Sequence, residues 1–427
     1  MRKQSRLPIS VLLVAIFAPT MPALARQTAP VVRQITAYPA RSSELFGAVS
    51  QVRVLSNGDV IVNDNASRRV VLLDTALRLV RVIADTTAAT ARLYGSGLGG
   101  LIQLRGDSSF FVDPSSLSML LLDGNGNVVR TLAIPRPSDA GALIGGPFGA
   151  PRLDREGRLV YRGAVRWAYS AKRGMPEMPD SAPLLRVSLT SRHVDTLTYV
   201  AIPRISMTVA PRGDDGHSFR TVAQVSPLAW ADDWAVLSDG SIAVIRGRAY
   251  SVEFLDTTNH WSPRAKIPFD WRRLKDEDKS AIIDSTRLEM VKIRTSVVGL
   301  GDTANDTKVA SRTRRSPQLQ SPSPSAPRNS ESQTIEFVPL SEMPDYVPAF
   351  RQGAALGDDD GHLWIRTTTM FNGSNCYDVV DHRGNLLGRV ALPSGRMLVG
   401  FGPHHVVYMG VLDGASARLE RATTSVP

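Results

Sequence analysis

The chain has 427 residues, 43% of them hydrophobic, with a formal net charge of +10 and a single cysteine. That hydrophobic content excludes an intrinsically disordered protein, and one cysteine excludes an internal disulfide. No Lys/Arg tract with interleaved aromatics appears, so nucleic acid is not an expected partner despite the positive charge.

Residues 1–25 read as a secretory signal: Arg2, Lys3 and Arg6 precede the apolar run Leu7 to Met21, and Ala23-Leu24-Ala25 forms a small-x-small cleavage site. Pro8 and Pro19 interrupt that run, and no cysteine follows the site, so neither an uncleaved span nor a lipoprotein anchor is expected. Downstream no second run is long enough to span a bilayer. The sequence therefore predicts an exported chain, periplasmic or extracellular, carrying about +7 after removal of three basic residues.

From residue 49 onward a polar turn followed by a short apolar strand recurs six times. The turns Asn57-Gly58-Asp59, Gly106-Asp107, Glu156-Gly157, Asp239-Gly240, Asp360-Gly361 and His404-His405 each precede such a strand. In the first unit, Val49 to Leu55, Val60 to Asn63, Val70 to Leu73 and Leu79 to Ile83 are predicted as four antiparallel strands. The second unit repeats them with Leu101 to Leu104, Ser109 to Val112, Met119 to Leu122 and Val128 to Ile134. Units near 148–202 and 225–269 follow with longer insertions. The fifth runs through Ala354 to Leu356, His362 to Arg366, Tyr377 to Val380 and Leu386 to Leu392. A sixth, from about Val399 to Ala422, offers three strands, and the segment Val31 to Tyr38 is expected to supply its fourth, closing the ring without an exposed edge.

Two segments break the repeat. Residues 271–298 have helical spacing with acids at Asp276-Glu277-Asp278, as a helix N-terminus favours. Residues 299–333 are rich in Ser, Pro, Arg and Thr and are expected to be a disordered loop.

Gly95-Ser96-Gly97-Leu98-Gly99-Gly100 and Asp359-Asp360-Gly361-His362-Leu363-Trp364 resemble the blade entry and the sensor-type strand of six-bladed β-propellers of the NHL-repeat and TolB-like superfamily. The resemblance implies an all-β fold for residues 31–427, a six-bladed β-propeller of four-stranded antiparallel blades with one helical insertion. It implies no activity.

Motifs of chemistry are sparse. The G-x-G-x-x-G of residues 95–100 precedes a strand instead of a helix, so no dinucleotide cofactor is expected, and Asp123-Gly124-Asn125-Gly126-Asn127 lacks the Gly and Glu of a calcium loop. Asp358-Asp359-Asp360 reads as a solvated turn and Cys376 as a buried structural thiol. No nucleophile elbow or His-rich metal motif occurs, and no cofactor is expected.

Aligning the units on their second strands places Asp64, Asp113, Arg162, Arg246, Arg366 and Met409 at equivalent exits. The loop Gly163 to Pro183, with Trp167, Tyr169 and Lys172, and the segment Trp271 to Gln333 fall at the same end. The expected function is a binding module using this insertion-bearing face. Arg162, Arg246 and Arg366, with Asp64 and Asp113, are the candidate site for an anionic ligand or a protein partner. A metal-dependent hydrolase or lactonase-like enzyme, and a structural component of the envelope, are the alternatives.

Overall fold

Val60-Ile61-Val62-Asn63-Asp64 is buried along its whole length, which a strand achieves only when both faces of its sheet are covered. The computed structural model describes residues 32–35, 40–165, 168–169, 176–211, 219–301 and 334–425. These form five sheets of four strands, one of five and two smaller ones. The chain is mostly β, and its antiparallel four-stranded sheets are consistent with a β-propeller.

In chain order, the first large sheet comprises Val49–Val54, Val60–Asp64, Arg69–Leu73 and Leu79–Ala84, and the second Gly100–Gln103, Ser109–Asp113, Ser118–Leu122 and Val128–Ala133. The third comprises Arg152–Leu153, Leu159–Arg162, Ser181–Val187 and Val194–Ala201, and the fourth Asp233–Val236, Ile242–Arg246, Ser251–Leu255 and Ala265–Lys266. Phe350–Gly357, Leu363–Phe371, Ser374–Val380 and Leu386–Ala391 make the fifth; Arg396–Gly402, Val406–Asp413 and Ser416–Thr423 belong to the sixth.

Apolar side chains join each sheet to the next. Ile61 and Leu72 of the first sheet cluster with Phe111 and Leu120 of the second. Val112, Tyr161, Val187 and Val244 tie the second, third and fourth together. Ile245 and Ile365 connect the fourth to the fifth, and Val379 and Val407 the fifth to the sixth. Val62 and Val71 then meet Tyr408 and Leu419, which returns the sixth sheet to the first.

The N-terminal closure differs from expectation. Val32–Gln34 pairs in parallel with Leu386–Ala391 as a fifth strand of the fifth sheet, whereas Ala40–Arg41 pairs antiparallel with Ser416–Thr423 and completes the sixth. The described strand of the expected segment Val31 to Tyr38 thus joins the fifth sheet, and Ala40–Arg41, just beyond it, completes the sixth. Residues 1–25 and most of 299–333 lie outside the described residues.

Six hairpins, spread over the first five sheets, share one piece of turn chemistry. Asp74, Asp123, Asp154, Asp256, Asp358 and Asp381 each accept, through Oδ1, the N–H groups two and four residues on. A side chain that caps its own turn fixes the hairpin's register. In Asp74 and Asp256 the bonds from the turn amides of Arg78 and His260 hold the carboxyl below its ordinary range. Asp123, with its resemblance to a calcium loop, is one of these turns.

The helix, α1, spans Asp276–Gly301, starting later than residue 271. Lys275 N–H donates to Asp278 Oδ2 at 3.0 Å, capping its first turn. Buried Lys279 donates from Nζ to the carbonyls of Leu340 and Met343, and Leu274, Leu228, Val338 and Met343 form a satellite core with Ile282 and Ile283 of the helix. A three-stranded sheet beside it, Ile205–Pro211, Phe219–Val225 and Thr334–Phe337, was not expected from the sequence. Its last strand joins in parallel, Val222 opposite Thr334.

Candidate functional site

The first strand of every large sheet faces a common channel. A cavity of about 510 Å³ lies there, bordered by Gln51 and Arg53, Gln103, Arg152, Ala235, Gln352 and Leu398, one or two from each sheet. This volume suits a small molecule.

Strand direction sorts the channel into two ends. Second strands finish beside the starts of first strands, as the pairs Val49 with Asp64 and Asp233 with Ile245 show. Both the hairpin Ala168–Tyr169 with Pro176–Glu177 and helix α1 follow second or fourth strands, so they lie at this insertion end. The tight hairpins between first and second strands mark the opposite end.

At the hairpin end stand Arg53, Arg152 and Asp359, the last about a third exposed. Arg152 donates to Gly357 O at 3.4 Å and approaches Asp359 at 3.6 Å. Arg53 instead donates to the carbonyls of Leu104 and Gly106 in the second sheet, and its buried Nε has no partner among the described residues. Burial lowers the pKa of Arg53, reinforced by the charge of Arg152, while burial raises that of Asp359 against the pull of both arginines. Two guanidinium groups thus face one carboxylate in a partly desolvated space, where an added anion would be favoured.

Asp358, Asp359 and Asp360, adjacent in sequence, take three separate duties. Asp358 caps its turn and accepts from Trp364 Nε1 at 2.8 Å, Asp359 meets Arg152, and Asp360 lies 3.1 Å from His405 of the sixth sheet. Among the described residues no group of three or more His, Cys, Asp or Glu side chains assembles at metal-binding spacing.

The five residues chosen from second-strand exits have separate environments. Asp64 is fully buried and accepts from the N–H groups of Gly47, Ala48 and Ser67 and from Arg69 Nε at 3.1 Å. Asp113 accepts from Ser115 N–H and from the N–H and Oγ of Ser116. Neither aspartate pairs with a candidate arginine among the described residues. Arg246 is saturated by Asp232, Glu253 and Tyr199 O; burial opposes its charge, but those bonds hold its pKa above the ordinary value. Arg366 alone of the five borders the cavity, with its Nη1 on Met397 Sδ at 3.2 Å.

Arg162 is buried at the insertion end with its guanidinium 4.7 Å from the Phe148 ring centroid, and its Nε and Nη1 have no hydrogen-bond partner among the described residues. Phe148 belongs to Gly145–Gly149, a strap that crosses the channel mouth. A Cβ on Gly145 would lie 2.6 Å from Gln51 of the first sheet, and one on Gly353 of the fifth would lie 2.6 Å from Gly146 O. Trp234 Nε1 of the fourth donates to Phe148 O at 3.1 Å. Below the strap, Asp233 is buried and accepts from the N–H groups of Ala354 and Ala355; burial pushes its pKa up to about 6 against those bonds and Arg162.

The glycines of residues 95–100 serve close packing. A Cβ on Gly95 would sit 2.5 Å from Asp113 Oδ1, on Gly99 2.4 Å from the Phe111 ring and on Gly100 2.5 Å from Leu143 O. Cys376 is buried, and its burial pushes the thiol pKa up to about 11. Trp167 and Lys172 lie outside the described residues, and Tyr169 is placed only as one residue of the short hairpin.

No family model and no curated protein sequence matches the chain. Among solved structures, a gluconolactonase from Xanthomonas campestris is similar at 11% identity and a TM-score of 0.40, covering 95% of this chain and 99% of that one. The calcium-binding protein regucalcin from Agrobacterium tumefaciens gives 10% identity and 0.39, covering 93% and 99%. A member of the DUF4221 family from Bacteroides vulgatus gives 10% and 0.42, covering 92% and 97%. Similarities this low say nothing about what the chain does.

Proposed function

We propose that the chain is a six-bladed β-propeller that binds a small anionic ligand in its central channel. The observation carrying this reading is the charge of the cavity wall: Arg53, Arg152 and Arg366 face it, against Asp359 alone. The site lies within the ring, not across the five second-strand exits. Arg366 is the residue the two locations share. Export of the module rests on residues 1–25, whose composition is that of a secretory signal.

A metal-dependent hydrolase, the second reading, would draw its oxygen donors from the Asp359 carboxylate and the amide groups of Gln103 and Gln352 that border the channel. The binding reading asks only for the arginines.

Titration calorimetry with inorganic phosphate and with acetate, at low and physiological salt, tests the proposal. Binding of at least one anion is expected, weakened about tenfold by Arg53→Gln, reduced by salt and unaffected by a chelator. Affinity unchanged in both Arg53→Gln and Arg152→Gln, or dependent on a divalent ion, would refute it.

A further inference from the structure

Resting on the channel reading, we infer that the ligand carries two anionic groups, one held by Arg53 and Arg152 at the hairpin end and the other by Arg366 toward the insertion end. The separation of the charges argues for this. Arg152 donates to Gly357 O, and Gly357 pairs with Leu363 across the hairpin. Arg366 lies three residues farther along the same strand, about 10 Å at the usual strand rise. The side chains keep the separation, because Arg366 is turned to Met397 at the start of the sixth sheet's first strand and Arg152 to Gly357 at the end of the fifth's.

Asp359 and Asp107 act on Arg53 at longer range, yet three arginines border the cavity against the Asp359 carboxylate. Asp359 serves Arg152, but Arg53 binds only carbonyl oxygens, and Arg366 is given only a thioether, a weak acceptor. Keeping buried Arg53 beside the cavity is costly unless a charge from outside meets it, and partly exposed Arg366 is open to the same ligand. Among the described residues, buried Gln352 Nε2 on the wall between the poles has no hydrogen-bond partner, and neither has Arg53 Nε. A chain with polar atoms between two carboxylates, or two phosphates on a short spacer, would meet all of these groups. Carboxylates serve as probes because their spacing can be varied at constant chemistry.

The test is calorimetry with succinate, adipate, suberate and sebacate, with butyrate and octanoate as single-charge controls, on the wild-type protein and on Arg53→Gln and Arg366→Gln. Circular dichroism melting of each variant establishes that it is folded. We expect one dicarboxylate of intermediate length to bind at least about tenfold more tightly than either control, and each substitution to remove that advantage. Equal affinity for mono- and dicarboxylates, lost in Arg53→Gln and retained in Arg366→Gln, would overturn the two-pole inference while sparing the channel site. No binding by any probe, with phosphate and acetate also silent, would overturn both.

Discussion

Replacing Gly149 with alanine tests the strap across the channel mouth. Gly149 has φ 85° and ψ 168°, a region essentially restricted to glycine and costing a residue with a Cβ about 1–3 kcal/mol. The added Cβ would also lie 2.5 Å from Trp234 Nε1 and 2.6 Å from its Cε2, and Trp234 is fully buried with no room to swing aside. Overpacking of this kind adds about 1–3 kcal/mol, so a strap held in place loses about 4 kcal/mol. A strap that lets go instead forfeits the Trp234–Phe148 hydrogen bond, about 1 kcal/mol, and the contact of Arg162 with Phe148, about 2 kcal/mol when desolvated. The two routes cost nearly the same, so Gly149→Ala should both destabilise the protein by about 3–4 kcal/mol and loosen residues 145–149. Gly157→Ala is the control: its φ is 77°, but nothing lies within 4 Å of the new Cβ, leaving a backbone cost of about 1–2 kcal/mol. Urea unfolding and hydrogen exchange at the strap amides measure both effects. A Gly149→Ala protein within about 0.5 kcal/mol of Gly157→Ala, with unchanged exchange, would refute the packing argument.

Asp233, raised to about 6 when folded and near 3.9 when unfolded, holds its proton more tightly in the native state. Its contribution is therefore fully present below pH ~4, falls as pH rises to ~6 and is constant above; the span is about 3 kcal/mol. The stability difference between wild type and Asp233→Asn should decline by that amount from pH 4 to 6, and parallel curves would sink the assignment. Asp64→Ala strips three backbone N–H groups and Arg69 of a buried acceptor and should cost about 3 kcal/mol or more by denaturant titration; a loss below 1 kcal/mol contradicts the described cap. Native Cys376 should resist a thiol reagent until the protein unfolds, because its buried thiol remains protonated at neutral pH; rapid labelling without unfolding contradicts its placement.

The strands were legible because period and turn chemistry are local: Asp74 and Asp381 sit four residues before the amides they cap, and that spacing repeats along the chain. The channel was not. Gln51 and Arg53 alternate along a first strand, as channel-facing residues should, but alignment on second strands looked past them. Gln103, Arg152 and Gln352 were likewise visible on or beside first strands. Nothing local announced the pairing of Val222 with Thr334, because the partner strand arrives more than a hundred residues later and in parallel. The two-residue strand Ala40–Arg41 was too short to carry a period, which is why the longer run before it was assigned to the sixth sheet alone.

The pairing of two N-terminal strands with two different sheets has a kinetic meaning. Val32–Gln34 and Ala40–Arg41 find their partners at Arg389 and Arg421, so the earliest strands in the chain wait for nearly the latest. Closing so long a loop costs only slowly growing entropy, but contacts of such sequence separation form late. Each large sheet can fold as a local meander while the ring stays open like an unfastened bracelet. The strands Val32–Gln34 and Ala40–Arg41 act as its clasp, each lying on the outer edge of one of the two neighbouring links.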